Sequence, residues 1–268
     1  MKTITSRQNP LVARFRAVAR AHRSNRQQIL LEGTRLIDDA REAGTPLEVA
    51  VVSSGELRRR NRKLMALSDA LAGGGVEVVA ASDAVLAALS PVRSPSGAVA
   101  IAAHRPRALR DVFTSRGLVL ALVGVKDPGN VGAIVRAADA GAVSGVLVTA
   151  GSADPFGWRA LRGAMGSSFR LPVVDVDNIG LTVEAARERG AGVLAAVPRG
   201  GASLYSIDLT RPQLVLLGSE GSGLNDEVVS LADTWLTVPM RQPVQSLNTA
   251  VAAALIIYEA RRQRRARA

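Results

Sequence analysis

At 268 residues the chain has room for one large or two modest domains, and its 47% hydrophobic content is that of a folded protein. It has no cysteine and only two histidines, His22 and His104, far apart and each beside arginine, which excludes disulfides and thiolate chemistry and leaves a His metal cluster or a Ser-His-Asp triad without support. The net charge of +11 is uneven, because residues 1–110 hold 18 Lys/Arg against 9 Asp/Glu and Arg261, Arg262, Arg264, Arg265 and Arg267 crowd the last eight positions; a basic front and tail point to a polyanion, most simply nucleic acid.

The start, MKTITSRQNP, lacks a signal-peptide core, and no apolar run reaches the roughly 18 residues of a membrane helix, so a cytoplasmic protein without a membrane partner is expected. Asn9-Pro10 reads as a helix start, followed by an amphipathic basic helix with Leu11, Val12, Phe15 and Val18 on one side. Short apolar runs then alternate with helical patterns: Ile29 to Leu31, a helix over 34–43, Val49 to Val52, one helix from Glu56 to Leu71, Val76 to Ala80, a helix over 82–89, and Ala98 to Ala103. This alternation predicts a smaller α/β domain over 1–104. The polar stretch around Pro106 marks a linker at 105–111 before a second domain at 112–268.

The second half repeats the alternation, with strands expected at 118–125, 145–149, 171–174, 192–197, 213–217 and 234–238. Most are continuous apolar runs, as in strands buried on both faces, so the fold class is α/β with a mainly parallel sheet. No G-x-G-x-x-G occurs, and Lys2, Lys63 and Lys126 never follow glycine as a P-loop requires, so the common nucleotide folds lose their main support.

Three blocks remain, each where a strand meets a helical pattern. In the first, Lys126-Asp127-Pro128-Gly129 is a turn and Asn130 stands at the expected N-cap of a helix through Ala140. Arg136 lies six residues on, about 600° around a helix, so the two side chains need not share a face but still can border one site at the strand edge. Capping for Asn130 and surface pairing for Arg136 are the plain alternatives. In the second, Gly218-Ser219-Glu220-Gly221-Ser222-Gly223 allows close backbone approach and carries one charge, Glu220, which suits a cationic or hydroxyl-bearing ligand. In the third, Val238-Pro239-Met240 and a polar loop lead to Ser246, the expected N-cap of a long Ala-rich helix that includes Asn248 and ends in the arginines. Its apolar residues run nearly all round, so it is expected to be buried in the protein or against a second subunit.

Together N-x-G-x-x-x-R-x-A-x-x-G, G-x-E-x-x-G-L and V-P-M followed by S-L-N resemble the three motifs of the SpoU (TrmH-type) RNA ribose 2′-O-methyltransferases of the SPOUT superfamily, over residues 118–260. The first 100 residues, with Ile29-Leu30-Leu31-Glu32-Gly33-Thr34-Arg35-Leu36, are similar to the ribosomal-protein-like RNA-substrate-binding domain that many members carry. The resemblance implies a deep trefoil knot in the C-terminal domain, S-adenosylmethionine as methyl donor (product S-adenosylhomocysteine) with no metal, and a homodimer whose sites draw on both subunits. It implies cofactor contacts at Gly218, Val238, Met240 and Leu247, and a catalytic ring of Asn130, Arg136, Glu220, Ser246 and Asn248. RNA, most readily ribosomal RNA of the 23S type, is the implied substrate. Arg14, Arg16, Arg20, Arg23, Arg35, Arg58, Arg59 and Arg60 are the candidate phosphate contacts. A tRNA ribose methyltransferase and a catalytically silent RNA-binding or ribosome-assembly protein are the alternatives.

Overall fold

A computed structural model describes residues 1–113 and 117–266. Contacts divide the chain into two compact units, 1–105 with 156–169, and 106–155 with 170–268.

In the first unit, β1 (Lys2–Ile4) precedes α1 (Pro10–Arg20), which Asn9 caps by accepting from the Leu11 N–H. There follow β2 (Gln28–Glu32), α2 (Thr34–Glu42), β3 (Leu47–Ser53), α3 (Ser54–Arg58), α4 (Arg62–Gly73), β4 (Glu77–Ala81), α5 (Asp83–Leu89) and β5 (Ala98–Ala103). The sheet order is β1-β4-β3-β5-β2, with β1, β4 and β3 parallel and β5 antiparallel to its neighbours. Val12 and Phe15 of α1 and Val85, Leu86 and Leu89 of α5 pack against Val49, Val51, Val79 and Ile101 in one core. Such fully buried side chains each contribute about 1.5–3 kcal/mol. The single helix expected over 56–71 is broken: Arg60 takes a left-handed φ of 56° and Asn61 caps a new helix, accepting from the Leu64 N–H. Residues 2–4 form a strand where none was expected, being too short to show a period.

The second unit holds β6 (Leu118–Leu122), α6 (Pro128–Ala140), β7 (Gly145–Thr149), and, after a segment carrying α7 (Trp158–Ala164) and α8 (Ser167–Arg170), β8 (Val173–Val176) and α9 (Ile179–Glu188). Then come β9 (Gly192–Ala196), β10 (Ala202–Ser203), β11 (Gln213–Leu217), α10 (Asp226–Ser230), β12 (Thr234–Thr237) and α11 (Thr249–Arg265). All paired strands are parallel, in the order β10-β12-β9-β11-β6-β7-β8. The order turns back on itself between β6 and β11, and α/β sheets bind ligands at the carboxyl edge beside such a point. Val119, Ala121, Leu147, Leu214 and Leu216 pack with Val183, Ala186 and Val228 in a core on one face. The intervening Leu118, Leu120 and Leu122 point the other way, as strand alternation requires, and are buried as well. The strand expected at 171–174 starts two residues later, beyond Pro172, and the two-residue β10 lay below any sequence signal.

The segment 156–169 belongs with the first unit. There Arg162 lies 3.5 Å from the buried Glu32 carboxylate, and the His104 and Phe156 rings stand 4.3 Å apart.

Candidate functional site

The carboxyl edge of the parallel sheet brings the three blocks together. Asp127, rather than Asn130, caps α6: its carboxylate accepts from the Gly129 N–H at 2.6 Å, and Pro128 occupies the first turn, where no donor is missed. Asn130 therefore sits inside the first turn with its amide free for tertiary contacts. Its Nδ2 donates to Glu220 Oε1, and its Oδ1 accepts from Asn248 Nδ2 at 3.1 Å. Asn248, not Ser246, caps α11, accepting from the Ala250 and Val251 N–H groups. One side chain from each block thus enters a single hydrogen-bonded row.

Beside this row lies a cavity of about 360 Å³ lined by Gly218, Glu220, Val238, Met240, Ser246 and Leu247, with Pro198, Leu236 and Ile256 among the rest. All four residues assigned to the cofactor are in that lining, and so are Glu220 and Ser246. The glycine loop is closed on itself: Ser219 and Gly223 exchange backbone hydrogen bonds at 3.3 and 3.1 Å, and the Ser219 and Ser222 hydroxyls are 2.9 Å apart. A Cβ on Gly218 would stand 2.2 Å from the Gly223 carbonyl carbon, so only glycine allows this closure. Thr249, which the sequence reading passed over, donates its hydroxyl to the Gly218 carbonyl at 3.1 Å and fastens loop to helix. Its position directly after the capping asparagine was the available signal.

Arg136 is not brought into this lining. It is exposed, lies about 120° around α6 from Asn130 at 100° per residue, and makes no hydrogen bond or ion pair among the described residues. Nor is α11 buried all round. Ala253, Ile256 and Ile257 face the core, whereas Val251, Leu255 and Tyr258 are 49%, 40% and 53% exposed and, with Ala133 and Ala137 of α6 and exposed Tyr205, form an open apolar surface.

The basic front divides. Arg14 pairs with Glu48, Arg16 donates to the Ala88 carbonyl at 3.0 Å, and Arg59 pairs with Glu56 at 3.0 Å. Arg20, Arg35, Arg58 and Arg60 are exposed and without such partners among the described residues, while Arg23 is half-buried in a short 3₁₀ turn. The tail is largely committed within the protein: Arg261 donates to the Ala140 carbonyl, Arg262 pairs with Glu259, and Arg264 donates to the carbonyls of Leu209 and Arg211. Arg267 lies outside the described residues. Among the described residues no helix is long and apolar enough to cross a membrane, and no cluster of three or more His, Asp or Glu side chains is placed to hold a metal.

The sequence matches the model of the SpoU rRNA methylase family over residues 117–258 and that of the MRM3-like substrate binding domain over 2–100. An uncharacterized tRNA/rRNA methyltransferase of Synechocystis is 34% identical over 97% of this chain and 94% of its own length. The 23S rRNA (guanosine(2553)-2′-O)-methyltransferase of Bacillus subtilis is 29% identical over 97% of this chain and 100% of its own. Among solved structures, the SpoU methyltransferase AviRb of Streptomyces viridochromogenes in complex with AdoMet superposes with a TM-score of 0.85 at 29% identity, covering 96% of this chain and 98% of that one.

Proposed function

The chain belongs to the SpoU rRNA methylase family, and from that premise we propose that it transfers a methyl group from S-adenosylmethionine to a ribose 2′-hydroxyl of 23S rRNA. The observation that carries the reading is the Glu220–Asn130–Asn248 row set against the 360 Å³ cavity. The cavity fits the cofactor: its volume lies within the roughly 300–1,000 Å³ range of small-molecule sites, its walls at Leu236, Val238, Leu247 and Ile256 are apolar, and the backbone of 218–223 offers polar groups beside them. Bound there, S-adenosylmethionine supplies a methyl already activated by its sulfonium.

The protein's own task is then alignment and proton handling. Asn130 is held at both ends of its amide, so it fixes Glu220 rather than moving with it. Glu220 keeps Oε2 without a hydrogen bond among the described residues, an acceptor available to a ribose hydroxyl. Gly218, Val238, Met240 and Leu247 contact the cofactor, and Ser246 borders cofactor and nucleotide.

Arg136 binds the hydroxyl and an adjacent phosphate, its permanently charged guanidinium polarising them as a hydrogen-bond donor. Its place outside the lining supports a homodimer in which it completes the partner's site. The apolar surface of Ala133, Ala137, Val251, Leu255 and Tyr258, beside Arg136 on α6, supplies the interface. The trefoil knot and a cytoplasmic location belong to the same reading. The unpaired Arg20, Arg35, Arg58 and Arg60 of the first unit add affinity through RNA phosphates.

The test is incubation of the purified protein with S-adenosylmethionine and 23S rRNA, followed by digestion to nucleosides and mass spectrometry. A 2′-O-methylated nucleoside is expected. A methylated base, methyl transfer to tRNA alone, or RNA binding without transfer would each reject the assignment.

A further inference from the structure

Cations of the second unit fall into two groups. Arg170, Arg187, Arg211 and Arg262 are matched by Asp139, Asp233, Asp208 and Glu259, and Arg261 and Arg264 are engaged by backbone carbonyls. Lys126, Arg199 and Arg241 are exposed and make no hydrogen bond or ion pair among the described residues. These three follow the carboxyl ends of strands in one parallel sheet. Lys126 leaves β6 and precedes Asp127, the cap of the helix that presents Asn130. Arg199 follows Pro198, and Arg241 follows Met240, both in the cavity lining.

Their strands are β6, β9 and β12, which with β11 are consecutive in the sheet. At about 4.8 Å between neighbours, the outer two loops leave the sheet roughly 14 Å apart. A single phosphate cannot bridge that width, but a run of nucleic-acid backbone can. Apart from Arg107, Arg136 and Arg265, which lie off these loops, the remaining described arginines of the second unit have local partners, whereas here positive charge stands uncompensated around a cavity whose one charged lining side chain is Glu220.

We infer that Lys126, Arg199 and Arg241 form a rim that holds the RNA backbone phosphates flanking the nucleotide presented to the cavity. The inference rests on the reading of that cavity as the methyl-transfer site. It assigns part of the RNA affinity to the second unit itself, with guanidinium and ammonium groups donating to phosphate oxygens and no base being read. The three act as positioning residues.

The test compares K126A/R199A/R241A with R107A/R265A, a pair of cations also lacking partners but off the site loops. RNA binding is measured from about 50 to 200 mM salt, with S-adenosylmethionine affinity by calorimetry and the KM and kcat of transfer. For the triple variant we expect KM for RNA to rise at least tenfold and the salt slope of log K to fall by about 2, at roughly 0.7–0.9 per phosphate lost. Cofactor affinity and kcat at saturating RNA should stay within about twofold, and K126R/R199K/R241K should restore the slope. An unchanged slope, an equal loss in the control pair, or lost cofactor affinity overturns the rim. A wild-type protein that transfers no methyl sinks the functional reading instead, and the slope comparison still decides the rim.

Discussion

Asn130 Nδ2 and Glu220 Oε1 meet at 2.5 Å across 90 residues of sequence, and the same asparagine accepts from Asn248, 118 residues away. Both bonds lie at the surface, where each contributes only about 1 kcal/mol, so their value is geometric. N130A is expected to lower kcat roughly 100-fold, the scale of a 1 Å misplacement, while moving the thermal midpoint by no more than a few degrees. Single-turnover kinetics beside a melting curve separate the two effects.

Gly218→Ala drives a Cβ into the Gly223 backbone and must open the loop that Ser219 and Gly223 close. Cofactor affinity should fall at least tenfold by calorimetry, with a stability loss of about 1–3 kcal/mol from the overpacked contact. T249V, which removes the hydroxyl held by the Gly218 carbonyl, should weaken the cofactor less.

The mainly parallel sheet was legible because strands buried on both faces leave unbroken apolar runs, whereas the loop residues at their ends were singled out by the motif resemblance and not by that pattern. Helix starts were less so. Asn130 and Asp127 are both good caps three residues apart, and Pro128 in the first turn decides for Asp127. Ser246 and Asn248 pose the same choice two residues apart, settled by the bonds Asn248 accepts from Ala250 and Val251. The break at Arg60 was hidden because a positive φ at arginine leaves no trace in an apolar pattern. The side of α6 that Arg136 occupies follows from spacing, but whether a second subunit uses it does not.

Glu259 gives a pH test. Hydrogen bonds from Arg262 at 2.7 and 2.8 Å, the largest influence, and from Gln263 outweigh burial and hold its carboxyl below the ordinary value. A depressed folded value stabilises the fold fully above about pH 4.5, and that contribution is lost as pH falls through the lower folded value. Urea midpoints should therefore drop on acidification below that point, and E259Q should flatten the drop while costing stability near neutrality. Gln263 also ties α11 to Ile207 and Leu209, so the loss should appear first in the C-terminal helix.

Glu32 is almost wholly enclosed, with Oε1 accepting from the Ser96 N–H at 2.8 Å and Oε2 relying on Arg162 at 3.5 Å. R162A leaves that oxygen without compensation and should destabilise the protein by about 1–3 kcal/mol. R162K should recover part of this. Denaturant titration of the three proteins checks the order.

The most direct measurement is a nucleotide-resolution map of ribose methylation in 23S rRNA from cells with the gene, cells without it, and deleted cells carrying N130A or E220A. One 2′-O-methyl group should vanish on deletion, return with the wild-type gene, and stay absent or strongly reduced with either variant. An unchanged ribose map, or full restoration by both variants, would contradict the claim that the Asn130–Glu220 row beside the cavity performs the transfer.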